Sequence, residues 1–183
     1  MELGIIAIII SIMIALFPYV RNRYFLGPEL TIEIIPNGGN SLSRGLSSKN
    51  KVNADGHIDG NNAIEIFELS WEFRVIIRNN SDNTAYYPKI LFISSKPKFT
   101  KIDSLNELNP IVNTDSIELK AEYSKFEECQ GKDITTTTGI PDELKNLKIL
   151  IESRNGKKMK FYTLYCVEKN KNQFIRKIPK EFK

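Results

Sequence analysis

The sequence predicts a mainly β protein: a transmembrane helix over residues 3–20, then an antiparallel immunoglobulin-type β-sandwich over 28–183. A small β-barrel is the runner-up architecture. Three observations carry this. Leu3 to Val20, LGIIAIIISIMIALFPYV, is free of charge and rich in isoleucine. Apolar and polar residues alternate with a period of two through most of the remaining chain. Helical periodicity is nearly absent after residue 28, and six or seven short strands separated by turn residues point to a sandwich or barrel.

The 18 residues of the opening segment would rise roughly 27 Å as a helix, against about 30 Å for the hydrocarbon layer of a bilayer. A secretory signal peptide would begin with basic residues and end in small ones. Here Glu2 precedes the run, and Phe17-Pro18-Tyr19-Val20 closes it. A core helix would carry a polar face, and only Ser11 interrupts this one. Arg21 and Arg23 follow the segment while no Lys or Arg precedes it, so the domain is expected in the cytoplasm. Tyr19, Tyr24 and Phe25 suit an interfacial aromatic belt.

Leu30, Ile32 and Ile34 alternate with charged and polar partners up to Pro36, a half-buried strand. Residues 37–62, rich in Gly, Ser and Asn, read as a flexible loop. Phe67, Leu69, Trp71, Phe73, Val75 and Ile77 share one parity, which makes the strongest strand in the chain. A polar turn, Asn79 to Asn83, precedes a strand from Ala85 to Ser94, where Pro88 implies an edge or a bulge. Phe99 to Ile102 offers a short strand and Ile117 to Tyr123 a longer one. Thr135 to Thr138 is a polar loop, and Pro141 to Leu144 suit one helical turn. Leu147 to Ile151 and Met159 to Val167 flank Asn155-Gly156, the pair that favours a two-residue type I′ hairpin. Phe174 to Ile178 adds a final short strand.

Two segments carry a resemblance. WEFRVIIRNNSDNTAYYPKILF, Trp71 to Phe92, resembles the B and C strands of bacterial immunoglobulin-like modules, in which an Asn closes one strand and an Ala opens the next, here Asn79 and Ala85. LKNLKILIESRNGKKMKFYTLYC, Leu144 to Cys166, is similar to their F–G hairpin. The resemblance implies an immunoglobulin-like sandwich serving adhesion, interaction or spacing, and it brings no catalytic residues with it. The abundance of Ile, Lys and Asn also fits an AT-rich bacterial genome.

Charge is uneven along the chain. Residues 145–183 hold twelve Lys and Arg against three Asp and Glu, while residues 28–144 hold twelve against eighteen. Lys157, Lys158, Lys160, Lys169 and Lys171 form the candidate basic surface. Lys158, Lys160 and Tyr162 would share one strand face. Such a surface suits anionic lipid or a solvated sheet face, and nucleic acid is not an expected partner.

No residue is assigned to catalysis, a cofactor or a metal, and the chain is not read as an enzyme. Lys51 to Asn62 resembles an EF-hand calcium loop at Asn53, Asp55, Gly56, Ile58 and Asp59. Lys51 and Asn62, however, stand where carboxylates are needed. His57 is the only histidine, and Cys129 and Cys166 form no CxxC pair. Glu127-Glu128 and Asp142-Glu143 are adjacent in sequence and so would point to opposite faces of a strand. The expected function is a single-pass, membrane-anchored interaction or spacing module, with the lipid bilayer as partner through residues 3–20 and an unidentified protein as the other. The alternative is a sensor that takes a small ligand or anionic lipid through its basic C-terminal third.

Overall fold

The computed structural model describes residues 2–21, 26–58, 63–94, 98–130 and 137–182. Arg23, Tyr24, Phe25, Asp59, Asn62 and Thr135 lie outside them. The described residues form one α-helix, α1 (Glu2–Val20), and eight strands: β1 (Leu30–Leu46), β2 (Ile64–Asn79), β3 (Tyr86–Ser94), β4 (Lys101–Ile102), β5 (Ser116–Gln130), β6 (Lys148–Arg154), β7 (Lys160–Cys166) and β8 (Lys171–Ile175). They build two four-stranded antiparallel sheets, ordered β1-β2-β5-β4 and β3-β6-β7-β8.

The inner faces of the two sheets share one core. Ile32 and Ile34 from β1, Phe67 to Ile77 in alternation from β2, and Leu119, Ala121 and Tyr123 from β5 meet Ile149 and Ile151 from β6 and Tyr165 from β7. Trp71 is the largest fully buried side chain, and its ring lies 5.6 Å from that of Tyr123 in a tilted pair. Because the sheets stay separate, the sandwich replaces the barrel. They touch at one side, where the Asn172 amide donates to the Ile32 carbonyl at 3.0 Å and accepts from its N–H at 2.9 Å.

Three sequence expectations change. The strand expected to stop at Pro36 runs on to Leu46, so the flexible loop of 37–62 loses its first ten residues to β1. The Pro is tolerated because β1 is an edge strand, and a register shift between Pro36 and Gly39 absorbs its missing donor. Residues 36–46 are exposed on both faces, so no hydrophobic period announces them. Backbone bonding to β2 holds them instead. Beyond Leu46, the Asn50 side chain zips the base of the excursion by bonding the N–H and carbonyl of Ile64.

The second change is at Asn155-Gly156. The connection spans five residues, Asn155 to Met159, between the paired ends Arg154 and Lys160. Lys158 N–H donates to the Asn155 carbonyl at 2.8 Å, and Lys158 itself takes the left-handed conformation at φ 65°. Asn155 thus opens the turn rather than forming its centre. Its side-chain oxygen accepts from the N–H groups of Lys157 and Met159. This is the Asx geometry that short amides favour at a first turn position.

The third concerns the C-terminal third. A second cluster, Leu150, Tyr162 and Leu164, lies on the outer face of the β3-β6-β7-β8 sheet, and Ile178 and Phe182 pack onto it. Ile178 and Phe182 therefore cover part of a sheet face expected to be solvated.

The final strand, expected over Phe174 to Ile178, lies earlier at Lys171–Ile175, while several other expectations hold. Pro88 lies on edge strand β3 beside a register shift. The Pro141 turn is a short 3-10 segment, Asp142–Asn146. Asn79 closes β2 fully buried. Its amide donates to the carbonyls of Asn83 and Ile111, and its side-chain oxygen accepts from Ser81. Ala85 opens the next segment by bridging Ile111.

α1 forms over the expected segment, but among the described residues no helix is long and apolar enough to cross a membrane. Its described side chains run from Gly4 to Val20, a rise of roughly 25 Å against a hydrocarbon layer of about 30 Å. The transmembrane expectation is met as to helix and not as to span.

Candidate functional site

The five lysines of the candidate basic surface do not form one patch. Lys157 and Lys158 lie in the β6–β7 turn, and Lys160 opens β7. Lys169 lies in the β7–β8 turn, and Lys171 opens β8 opposite Cys166. The two turns cap opposite ends of β7, about 20 Å apart at strand rise. The shared face expected for Lys158, Lys160 and Tyr162 survives only in part: Lys160 and Tyr162 lie two residues apart on one side of β7. Lys158 belongs to the turn, and Tyr162 is buried in the outer cluster against Leu150 and Leu164.

The first three lysines meet groups that sequence spacing does not associate with them. Antiparallel pairing brings the start of β3 beside the end of β6, with Tyr86 opposite Arg154. It also brings the end of β8 beside the start of β7, with Ile175 opposite Tyr162. Arg154 lies 5.9 Å from the ring centre of Tyr87, and Arg176 stacks 4.3 Å above that of Phe161, both within reach of a cation–π attraction. Lys177 follows and is exposed. Tyr86 and Tyr87 are exposed, as is Phe174.

The entry segment from α1 reaches this same end. Gly27 lies on the Phe161 ring so closely that a Cβ would stand 1.9 Å from Cε1, so only glycine fits. Leu26 to Glu29 line a small cleft with Phe161, Tyr162, Phe174 and Arg176. The end of the sandwich joined to the helix thus carries Arg154, Lys157, Lys158, Lys160, Arg176 and Lys177 among exposed aromatic rings. Glu152, only 8% exposed, binds Lys160 at 3.0 Å and Arg154 at 3.6 Å from beneath. Glu29, Asp82 and Asp115 lie beside the strand ends of the other sheet at this end.

Two further charged places exist. On the outer face of the β1-β2-β5-β4 sheet, Glu72 faces Glu122 and Arg74 faces Lys120. With Lys101, Asp103 and Glu118 they line an open cleft of about 370 Å³. Opposite signs are interspersed there, so the cleft selects no net charge. On the inner face, Lys125 lies 5.7 Å from the Trp71 ring centre and binds Glu143 at 2.7 Å and Glu127 at 3.1 Å. Burial alone would lower the pKa of the Lys125 ammonium, but the hydrogen bonds it donates to Glu143 and Glu127 outweigh it and hold it above the ordinary lysine value. The Lys125 hydrogen bond holds Glu143 below the ordinary carboxylate value. Both shifts describe one clamp, which fastens the 137–146 segment over Trp71.

The described part of the calcium-like loop, Lys51 to Ile58, folds as a small hairpin. Val52 bridges Ile58, Asn53 N–H donates to the His57 carbonyl at 2.8 Å, and Gly56 turns at φ 79°. His57 is exposed. Among the described residues no group of three or more His, Cys, Asp or Glu could hold a metal. Cys129 and Cys166 are each half-buried.

Sequence reasoning missed Tyr86, Tyr87, Arg154, Arg176 and Lys177. A basic–aromatic rhythm was legible around residues 157–165. Nothing in spacing reveals that β3 and β8 deliver their ends to the same place. No family model, no curated protein and no solved structure matches this chain.

Proposed function

We propose that this chain is a membrane-anchored, non-catalytic module of immunoglobulin-like topology, which holds an interaction surface away from the bilayer. The observation that carries the reading is α1. Its apolar side chains, from Ile5 through Phe17, are exposed around the whole circumference, up to 69% at Ile14. Water disfavours such a surface, at about 25 cal/mol per Å². The one hydroxyl within it, Ser11, donates to the Ala7 carbonyl at 2.9 Å and so needs no solvent. A bilayer accommodates a slightly short helix by local thinning. Arg21 at its end favours a cytoplasmic domain.

The topology supports the module reading. The β1-β2-β5-β4 sheet against β3-β6-β7 has the order A-B-E-D against C-F-G of constant-type immunoglobulin domains, with β8 added at the edge. β1 alone has 17 residues, roughly 50 Å of strand, a length suited to spacing. Toward the far end of β1, Leu42 and Phe126 flank Glu68 in register on the outer face, both more than half exposed.

Alkaline extraction of membranes from cells producing the full chain tests the anchor. The chain remains in the pellet, and Ile9→Lys with Ile12→Lys releases it. Release of the unaltered chain would overturn the reading. Protease digestion of intact cells tests the side: the sandwich survives until the cells are opened.

A further inference from the structure

We infer that the end of the sandwich next to α1 docks on anionic phospholipid headgroups of the membrane that α1 enters. The inference rests on the anchoring reading above. Three observations converge on it. The six cations Arg154, Lys157, Lys158, Lys160, Arg176 and Lys177 gather from the ends of β6, β7 and β8 and the turn between β6 and β7. They outnumber the described carboxylates at this end: Glu152 lies beneath the surface, engaged by Lys160 and Arg154, Glu29 borders the cleft with Arg176, and Asp82 and Asp115 lie beside the strand ends of the other sheet. The entry segment is pinned on Phe161 by the glycine contact, so this end cannot swing far from the point where the chain leaves α1.

The chemistry fits headgroups rather than a shaped ligand. The cations spread over several strand ends with only a small cleft between Gly27 and Phe174. A diffuse anionic plane answers such a distribution, because each Lys or Arg near an anionic leaflet adds attraction within a Debye length. Tyr86, Tyr87 and Phe174 supply exposed rings, suited to the headgroup level where one side is apolar and the other wet. Lys169 and Lys171, at the far end of β7, do not take part.

Amide hydrogen exchange on the full chain reconstituted in vesicles tests this. Vesicles of phosphatidylcholine alone are compared with vesicles in which part is replaced by phosphatidylglycerol. Flotation with the neutral vesicles reports anchoring separately. The expected result is slower exchange at residues 86–87, 155–160 and 174–177 in the anionic vesicles only, reversed by high salt. Lys157→Glu with Lys177→Glu abolishes that protection, each charge weakening docking about fivefold. Lys169→Glu with Lys171→Glu leaves it intact, and matching thermal unfolding shows that both pairs fold. Equal exchange in the two vesicle types, or protection lost equally in both variant pairs, overturns the docking while leaving the anchor standing. Failure to float with neutral vesicles overturns both.

Discussion

The two sheets differ in what their outer faces meet. The β1-β2-β5-β4 sheet turns charge to solvent: Glu68 pairs with Arg44, and Arg74 faces Glu118 at 3.8 Å. In the β3-β6-β7-β8 sheet the central strands β6 and β7 are buried on both faces, while edge strand β8 is largely exposed. Ile149 and Ile151 point to the shared core, while Leu150 meets Tyr162 and Leu164 under Ile178 and Phe182. A sheet with one wet face alternates cleanly, whereas one covered on both sides reads as a continuous apolar run. The run Ile149-Leu150-Ile151 in β6 carries that signature. The covered sheet can therefore be short, while the open one relies on long strands with cross-strand ion pairs.

This contrast can be broken in graded steps. The largest effect is expected at the layer both sheets share: Trp71→Ala costs about 3–5 kcal/mol, read by chemical denaturation, and loosens both sheets together. Leu150→Ala follows at about 2–4 kcal/mol, although it lies on an outer face. Asn79→Ala removes four hydrogen bonds around the turn between the sheets and costs about 2–3 kcal/mol in the same assay. Ile76→Ala, on the outer face of the open sheet, costs less than about 1 kcal/mol. Similar values for Leu150→Ala and Ile76→Ala would erase the distinction between the sheets.

The most conditional effect is electrostatic. Lys125→Met costs about 1 kcal/mol at neutral pH by freeing the 137–146 segment. The Glu143 pKa is lowered by folding, so its contribution is present above its ordinary value of 4.5 and lost as pH falls through the lower folded value. The Lys125 pKa is raised, so its contribution persists below 10.5 and is lost only as pH rises through the higher folded value. The gap between unaltered chain and variant is thus widest between these values and closes on acidification. A gap that stays constant as the carboxylates become protonated on acidification would show that packing on Trp71, not charge, does the fastening.

Legibility in the sequence followed burial. The β2 strand was plain because Phe67 through Ile77 bury one face against a second sheet. The far half of β1 was not, because Asn37 to Leu46 bury neither face and are held by backbone bonds that any residue can make. Asn155-Gly156 misled because the hydrogen bonds of a buried Asn side chain outweighed the conformational preference of the pair. The basic surface was half legible, since Lys157, Lys158 and Lys160 are local while Lys169 and Lys171 lie one strand length away.

The sequence by itself determined the apolar opening segment, the alternation that makes two-sided strands, and the buried residues that drive them together, because those properties repeat over neighbouring residues. Only the tertiary structure decided which strand ends meet. Tyr87 and Arg154, or Arg176 and Phe161, become neighbours through pairing between distant segments. That pairing is settled by packing of the whole core, and no local pattern encodes it.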